Sequence, residues 1–415
     1  MQVLIVTCVY LPEPVISART SVSLARELTR QGDVVRVVTG YPNRPGGRLF
    51  PGYHRRLYRW DHSSEGYPIL RCFNALSTES SFASRFLENF TFGITSALAV
   101  FFMRKVDVIY ANTWPIFATG LLWIVARLRG FPLVISIQDV YPESLVSQGR
   151  LGPRSWLDRL LCWIDGNIAR RSQAVIVLSD RLARFYREAR RVDPDQIHIV
   201  PNWTDIYTGS SPPGDNPICL KYSLPADGFI LVFAGNIGMA ASVETIIEAF
   251  ARLSDMNRLY LLIAGEGSNL AHCRELAERL RLERVIFHSP WLVEETSSLL
   301  SAAHLLLLST RGNQSLVSTP SKLLHYMLAG RPVLASASPE SDLADIVRQA
   351  GCGWTVSPDD PDELAKAICR IMLVDSAELV RMGHAGREFF LAHYAADVCL
   401  PKVIHILEQA SLSNA

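Results

Sequence analysis

The sequence predicts an α/β protein of two Rossmann-like, doubly wound parallel-sheet domains facing across a cleft. Three observations carry that prediction. At 415 residues, 49% of them apolar and 20% charged, the chain exceeds one typical core and is too poor in charge for disorder. Apolar strand-like segments alternate with amphipathic helical ones, as in a parallel sheet covered by helices. The alternation also breaks at a turn-rich stretch from Thr208 to Pro217 and then restarts, which places domains at 1–207 and 218–395 and a last helix at about 396–410.

In the first half, Val3–Thr7 reads as a strand, Ser21–Gln31 as a helix capped by Gly32, and Val34–Thr39 as the next strand. The loop from Tyr10 to Arg19 then lies at the carboxyl end of the first strand, where open α/β sheets bind ligands. A second turn-rich loop, Tyr41 to Arg48, reaches the same edge, and a basic, aromatic patch from Tyr53 to Trp60 follows it. Val106–Tyr110 and Leu133–Ile137 are further strands, the latter delivering Gln138 and Asp139 to that edge. Trp156–Ser172 is helical, Ala174–Ser179 a strand, Asp180–Arg191 a helix and Ile197–Val200 a strand.

The segment from Phe82 to Arg104 is rich in phenylalanine. Its uncharged run, Asn89 to Met103, is 15 residues, short of the ~20 that cross a bilayer. It predicts a helix that packs on the sheet or lies on a membrane, flanked by Arg85, Arg104 and Lys105.

In the second half, strand Phe229–Ala234 ends in Gly235-Asn236-Ile237-Gly238, and strand Tyr260–Ala264 ends in Gly265-Glu266-Gly267. Leu305–Thr310 is an apolar strand followed by the polar loop Arg311-Gly312-Asn313-Gln314. Pro320 suits the first turn of a helix that carries Ser321, Lys322 and His325 and ends at Gly330. Unpaired N–H groups at that helix start, beside a lysine, can hold a phosphate. Three glycine-bearing strand ends in this order meet the needs of a nucleotide diphosphate better than any one of them does.

Net charge is +1, yet residues 1–205 hold 25 Lys+Arg against 17 Asp+Glu (+8), and the rest hold 16 against 23 (−7). A basic first half suits an anionic partner such as phospholipid headgroups, a lipid pyrophosphate or nucleic acid; the alternative is that opposite charges help the lobes face each other. The eight cysteines are scattered without a Cys-x-x-Cys pair, which points to reduced core cysteines in a cytoplasmic protein and away from zinc. The amino terminus reads as a core strand and is too short for a signal peptide. No Gly-x-Gly-x-x-Gly follows a strand with an acidic residue ~20 later, which disfavours a dinucleotide oxidoreductase.

Several segments together resemble a known family. They are Pro12-Glu13-Pro14, Tyr41 to Gly47, Gln138 to Ser144, Val200-Pro201-Asn202-Trp203, Ala234 to Gly238, Ala264 to Gly267, Pro320-Ser321-Lys322 and Ala329 to Val333. They resemble the GT-B glycosyltransferases of the large retaining family 4, in its bacterial polysaccharide, WbuB/WcaI-like branch. The resemblance implies a first lobe that binds the acceptor, a second that binds a nucleotide-sugar, and a C-terminal helix that packs back on the first. It implies transfer of a hexosyl or N-acetylhexosaminyl group to a lipid-linked or polysaccharide acceptor with retention. It also implies no metal, no cofactor and no nucleic acid, at the inner face of the cytoplasmic membrane.

The expected donor-binding residues are Gly235, Asn236, Gly238, Gly265, Glu266, Ser321, Lys322 and His325. Lys322 is expected to stabilise the leaving diphosphate, and Asp139 to orient substrate or accept the acceptor's proton; a surface lysine and a helix N-cap are the plainer readings. Arg19, Arg44, Tyr141 and Glu143 are the candidates for acceptor or phosphate binding. The chain departs from the family's Glu-x7-Glu pair, with Val317 and His325 at those positions. Asn236 and Ala241 stand where relatives carry Arg and Lys, and Val15 and Ile16 where the first loop often has glycine. Two other functions fit the same architecture: a catalytically altered sugar-nucleotide-binding partner, and a sugar-nucleotide 2-epimerase.

Overall fold

The computed structural model describes residues 1–412 except 45, 77–81, 114–115, 148, 150, 205–215 and 313–320. The Thr208–Asp215 part of the turn-rich stretch, Val317 and Pro320 lie outside the described residues. The chain forms two compact units, one made of Met1–Asp205 with Ala395–Ala415, the other of the residues between.

The first unit is built on an eight-stranded sheet ordered β3-β4-β2-β1-β5-β6-β7-β8. Its strands are β1 (Gln2–Thr7), β2 (Val34–Gly40), β3 (Tyr58–His62), β4 (Pro68–Cys72), β5 (Val108–Thr113), β6 (Leu133–Ile137), β7 (Ala174–Val177) and β8 (Ile197–Ile199). All pairs are parallel except the β3–β4 hairpin, which the alternation of the sequence did not reveal. The central strands are apolar on both faces because helices cover both. Helices α1 (Ile16–Arg30), α2 (Phe82–Phe101), α3 (Ile116–Arg129), α4 (Glu143–Ser147), α5 (Trp156–Arg170) and α6 (Asp180–Glu188) connect them. One core, with Leu4, Ile109, Ile135 and Phe92, lies under α2, α3 and α5. The other, with Ile5, Val22, Leu28 and Val134, is completed by Cys399, Val403 and Leu407 of the C-terminal helix Ala396–Leu412.

Helix α1 starts at Ile16, five residues before the expected Ser21. Ser17, Ala18, Ser21 and Val22 are buried along it, so the helix gains its packed face from the first turn onward. Arg19 therefore sits on a helix and not in the loop after β1.

The second unit has a six-stranded, fully parallel sheet ordered β11-β10-β9-β12-β13-β14. Its strands are β9 (Phe229–Ala234), β10 (Leu259–Ala264), β11 (Val285–His288), β12 (Leu305–Ser309), β13 (Val333–Ser336) and β14 (Gly353–Val356). Helices α7 (Pro217–Lys221), α8 (Val243–Ala251), α9 (Leu270–Arg279) and α10 (Thr296–Ser301) precede α11 (Ser321–Leu328), and α12 (Asp342–Ala350), α13 (Pro361–Met372) and α14 (Ser376–His393) follow it. Strand order reverses between β9 and β12 in this sheet and between β1 and β5 in the other. Crevices at the carboxyl ends of such strands are where open α/β sheets bind ligands.

Candidate functional site

At the β9/β12 reversal, Gly235 follows β9 with φ +148°, and Gly265 follows β10 with φ +140°. A Cβ on Gly265 would lie 1.9 Å from the Gly235 carbonyl oxygen, so only glycine lets these two strand ends run side by side. A Cβ on Gly235 would lie 2.2 Å from Cε of Lys322, so the lysine stem occupies the room that this glycine leaves. The Lys322 ammonium donates to the Asn236 carbonyl at 3.2 Å and lies 4.3 Å from the Phe233 ring centroid. Burial lowers its pKa to about 8, since the charged form gives up hydration there. The result is a cation held over bare backbone with no carboxylate partner among the described residues.

Tyr326, unmarked in the sequence reading, sets where Lys322 stands. Its fully buried hydroxyl accepts from the Ala234 N–H at 2.9 Å and bonds the Ala234 and Leu307 carbonyls at 3.2 Å each, which locks α11 to the ends of β9 and β12. His325 is half-buried on the same helix, and Ser321 opens it, with a side chain outside the described residues. The carboxylate of Glu266 is exposed, while its carbonyl accepts from Ile237 N–H at 2.8 Å. Asn236 is exposed beside half-buried Gly238. A second unmarked set braces the edge: Glu244 accepts from Arg311 and, at 2.9 Å, from Asn269.

In the first unit, Asp139 follows β6 and does not cap a helix, because α4 begins only at Glu143. Burial raises its pKa. It lines a small cavity with Thr119, Tyr141, Asp165 and Tyr186, and its carboxylate has no hydrogen-bond partner among the described residues. Below it, Arg190 is the hub: it donates to Asp165 at 2.7 Å, to Glu143 at 2.7 and 2.8 Å and to the Tyr141 carbonyl at 3.0 Å, with Phe185 under its guanidinium at 4.8 Å. The Glu143 carboxylate is thus engaged in holding the Tyr-Pro-Glu-Ser turn. Gln138 accepts from Asn202 at 2.9 Å, tying the Pro-Asn-Trp segment to the end of β6.

The loop after β1 is organised by Glu13, which is 1% exposed. Its carboxylate accepts from the backbone N–H groups of Tyr10 (3.2 Å), Asn43 (3.0 Å) and Arg44 (2.9 Å), stapling that loop to the one after β2. Arg44 pairs with Glu88 at 3.5 Å. The side chain of Arg19, half-buried on the first turns of α1, has no ion-pair or hydrogen-bond partner among the described residues. Asn112, at the end of β5, is 5% exposed and its side-chain oxygen lacks a donor among the described residues.

Among the predicted residues the structure brings together Gly235, Asn236, Gly265 and Lys322 at one edge, with Gly238, Glu266 and His325 nearby. Asp139, Tyr141 and Glu143 share another edge, and Arg19 and Arg44 stand on the elements that follow β1 and β2. No group of three or more His, Cys, Asp or Glu side chains arranged to hold a metal occurs among the described residues.

Comparison with known proteins adds the family. Residues 17–203 match the glycosyl transferase 4-like domain, and residues 228–373 match glycosyl transferases group 1. The chain is 22% identical over 394 residues to a putative colanic acid biosynthesis glycosyl transferase, WcaI, of Escherichia coli, covering 93% of this chain and 96% of that one. It is 23% identical over 299 residues to a probable glycosyltransferase, WbjE, of Pseudomonas aeruginosa, covering 72% and 74% of the two chains. Its backbone superposes on the UDP complex of Anabaena HepE with a TM-score of 0.73 and 15% identity, covering 99% and 100% of the two chains. Each sheet thus belongs to a recognised half, and the chain is a glycosyltransferase of the GT-B fold, with a 4-like domain followed by a group 1 domain.

Proposed function

We propose that this glycosyltransferase moves a hexosyl or N-acetylhexosaminyl group from a nucleotide-sugar to a lipid-linked or polysaccharide acceptor, with retention. The carrying observation is the Lys322 ammonium, seated over Gly235 and, among the described residues, bonded to nothing stronger than a carbonyl. A diphosphate entering that edge would exchange this neutral acceptor for a charge-assisted one, and the gain grows as negative charge builds on the leaving phosphate. The sugar C1–O bond to the diphosphate breaks while the acceptor oxygen bonds to C1. Asp139, whose carboxylate has no partner among the described residues, orients the acceptor hydroxyl and takes its proton. Arg19 meets an acceptor phosphate. The UDP bound to HepE and the polysaccharide named for WcaI support these substrate classes.

The acceptor's lipid and the inner face of the cytoplasmic membrane belong to the same reading. On α2 the large apolar residues Phe86, Phe90, Ile94 and Leu98 recur every fourth position and are all exposed. Phe102, Leu128 on α3 and Trp156 and Trp163 on α5 are exposed at 64% or more. Arg104, Lys105, Arg127 and Arg129 lie on these helices or next to them. Apolar side chains with cations at the C-terminal ends of their helices suit an anionic bilayer surface. No helix among the described residues is long and apolar enough to cross a membrane.

A thermal-shift panel of UDP-, GDP- and dTDP-sugars tests the donor, since a ligand of the native state raises stability by RT ln(1 + [L]/Kd). One of them should stabilise the protein and be turned over with a saccharide-lipid extract. Binding without turnover would favour the altered-partner reading, prompted by Val317 and His325 at the positions of the family's paired glutamates. Sedimentation with phosphatidylglycerol vesicles at low salt should carry the protein down. Protein left in the supernatant would remove the membrane from the proposal.

A further inference from the structure

We infer that the first unit holds a subsite for an acidic sugar, in a cavity over the β3–β4 hairpin. The inference deepens the acceptor reading and rests on it. The cavity measures about 400 Å³, within the usual size of small-ligand sites. Antiparallel pairing sets Arg59 opposite Arg71 and Asp61 opposite Ile69, so these side chains share one face of the hairpin. Two guanidiniums directly opposite repel each other. The fold tolerates them by placing Asp61 between, 2.8 Å from Arg59 and 3.4 Å from Arg71. The Tyr53 ring lies under both guanidiniums, 5.2 and 5.4 Å from its centroid.

Arg71 is immobilised: its side chain is 3% exposed and it donates to the carbonyls of Gly40 at 3.3 Å and Leu11 at 2.5 Å. Arg59, at 34%, faces the open side. Across the cavity, Arg26 of α1 pairs with Glu65 at 2.7 Å, and the hydroxyls of Tyr10 and Tyr67 meet at 2.7 Å. Three guanidiniums thus face two carboxylates. One unit of positive charge is left over in a cavity that also offers an aromatic face and hydroxyls. Carboxylates and guanidiniums bond vicinal hydroxyls through two parallel contacts, an aromatic ring packs against sugar C–H groups, and the surplus cation selects for an acid. The ligand is a sugar bearing a carboxylate or a phosphate, as a unit of the acceptor.

The test titrates the intact protein with glucuronic acid, glucose 6-phosphate and glucose, followed by saturation-transfer NMR. At least one acid should bind saturably and five times or more tighter than glucose, and which of them does so separates a uronate from a phosphorylated sugar. Arg59→Gln should abolish that preference while nucleotide-diphosphate affinity stays the same. Should Arg59→Gln melt early, Arg26→Gln serves as the second variant. Equal binding of glucose, no saturable binding of either acid, or an unchanged preference in the folded variant overturns the inference. Nucleotide-diphosphate binding, scored in the same samples, tests the donor site separately, so the two readings fail independently.

Discussion

Lys322 and Gly235 occupy one space: the lysine's Cε stands 2.2 Å from where a glycine Cβ would be, and its ammonium reaches the next residue's carbonyl at 3.2 Å. The missing side chain on one strand end is what lets a cation from the helix after another strand lie across the sheet's edge.

Removing that cation should weaken nucleotide-diphosphate binding. Lys322→Ala is expected to cost about 1.5–3 kcal/mol, the range for hydrogen bonds to charged groups. Calorimetric titration with UDP or GDP measures it, and an unchanged affinity would exclude Lys322 from the site.

The same contact should make binding depend on pH. Burial lowers the Lys322 pKa to about 8, so the free protein loses this cation as pH rises through that value, while a bound diphosphate favours the protonated form. Affinity should hold below pH 8 and fall above it, with proton uptake on binding near pH 8 to 9. For stability the sign is opposite: between about 8 and the ordinary lysine value near 10.4 the unfolded chain binds more protons, so this group's contribution improves with rising pH. Titrations in buffers of different ionisation enthalpy resolve the uptake.

Gly265→Ala places a Cβ 1.9 Å from the Gly235 oxygen at a positive φ. Backbone strain of this kind costs about 1–3 kcal/mol before any clash is counted. The urea midpoint should drop, and donor binding should fall with it even in protein that stays folded.

Arg190→Ala should cost about 3–5 kcal/mol, because it leaves the carboxylates of Asp165 and Glu143 without their shared cation. Chemical denaturation measures the loss. A change under 1 kcal/mol would mean that neither carboxylate relies on the pair.

Asp139→Asn keeps the size of the side chain and removes the carboxylate. If Asp139 takes the acceptor's proton, turnover should fall about 10²- to 10⁴-fold with donor affinity intact. Equal turnover would assign the base elsewhere.

Much of this architecture is legible in the chain. Runs such as Leu305–Leu308 and Phe229–Ala234 are apolar throughout because their strands are covered on both faces, and helix-period segments between them leave few other folds. The glycine-ended strands and Lys322 could be found because bare backbone and a cation at strand ends have a sequence signature. The β3–β4 hairpin could not be found. Its charged residues, Arg59, Asp61 and Arg71, break the apolar alternation, and they make sense as strand residues only once they face one another. Tyr326 and Arg190, and the role of Glu13 within Pro12-Glu13-Pro14, were missed for a related reason, since each acts through partners distant in sequence.

By itself the amino-acid sequence determined the fold class and the order of the apolar strands and helices around the two ligand edges, and it marked out a phosphate-suited strand end, because periodicity and glycine placement are local properties of the chain. Tertiary structure alone decided which charges are available for chemistry. It engaged Glu143 with Arg190 and Arg44 with Glu88, and left Asp139, Arg19 and the Lys322 ammonium without a counter-charge among the described residues. The reason is physical: the availability of an ionisable group depends on what packs against it, and those neighbours come from strands and helices far apart in sequence.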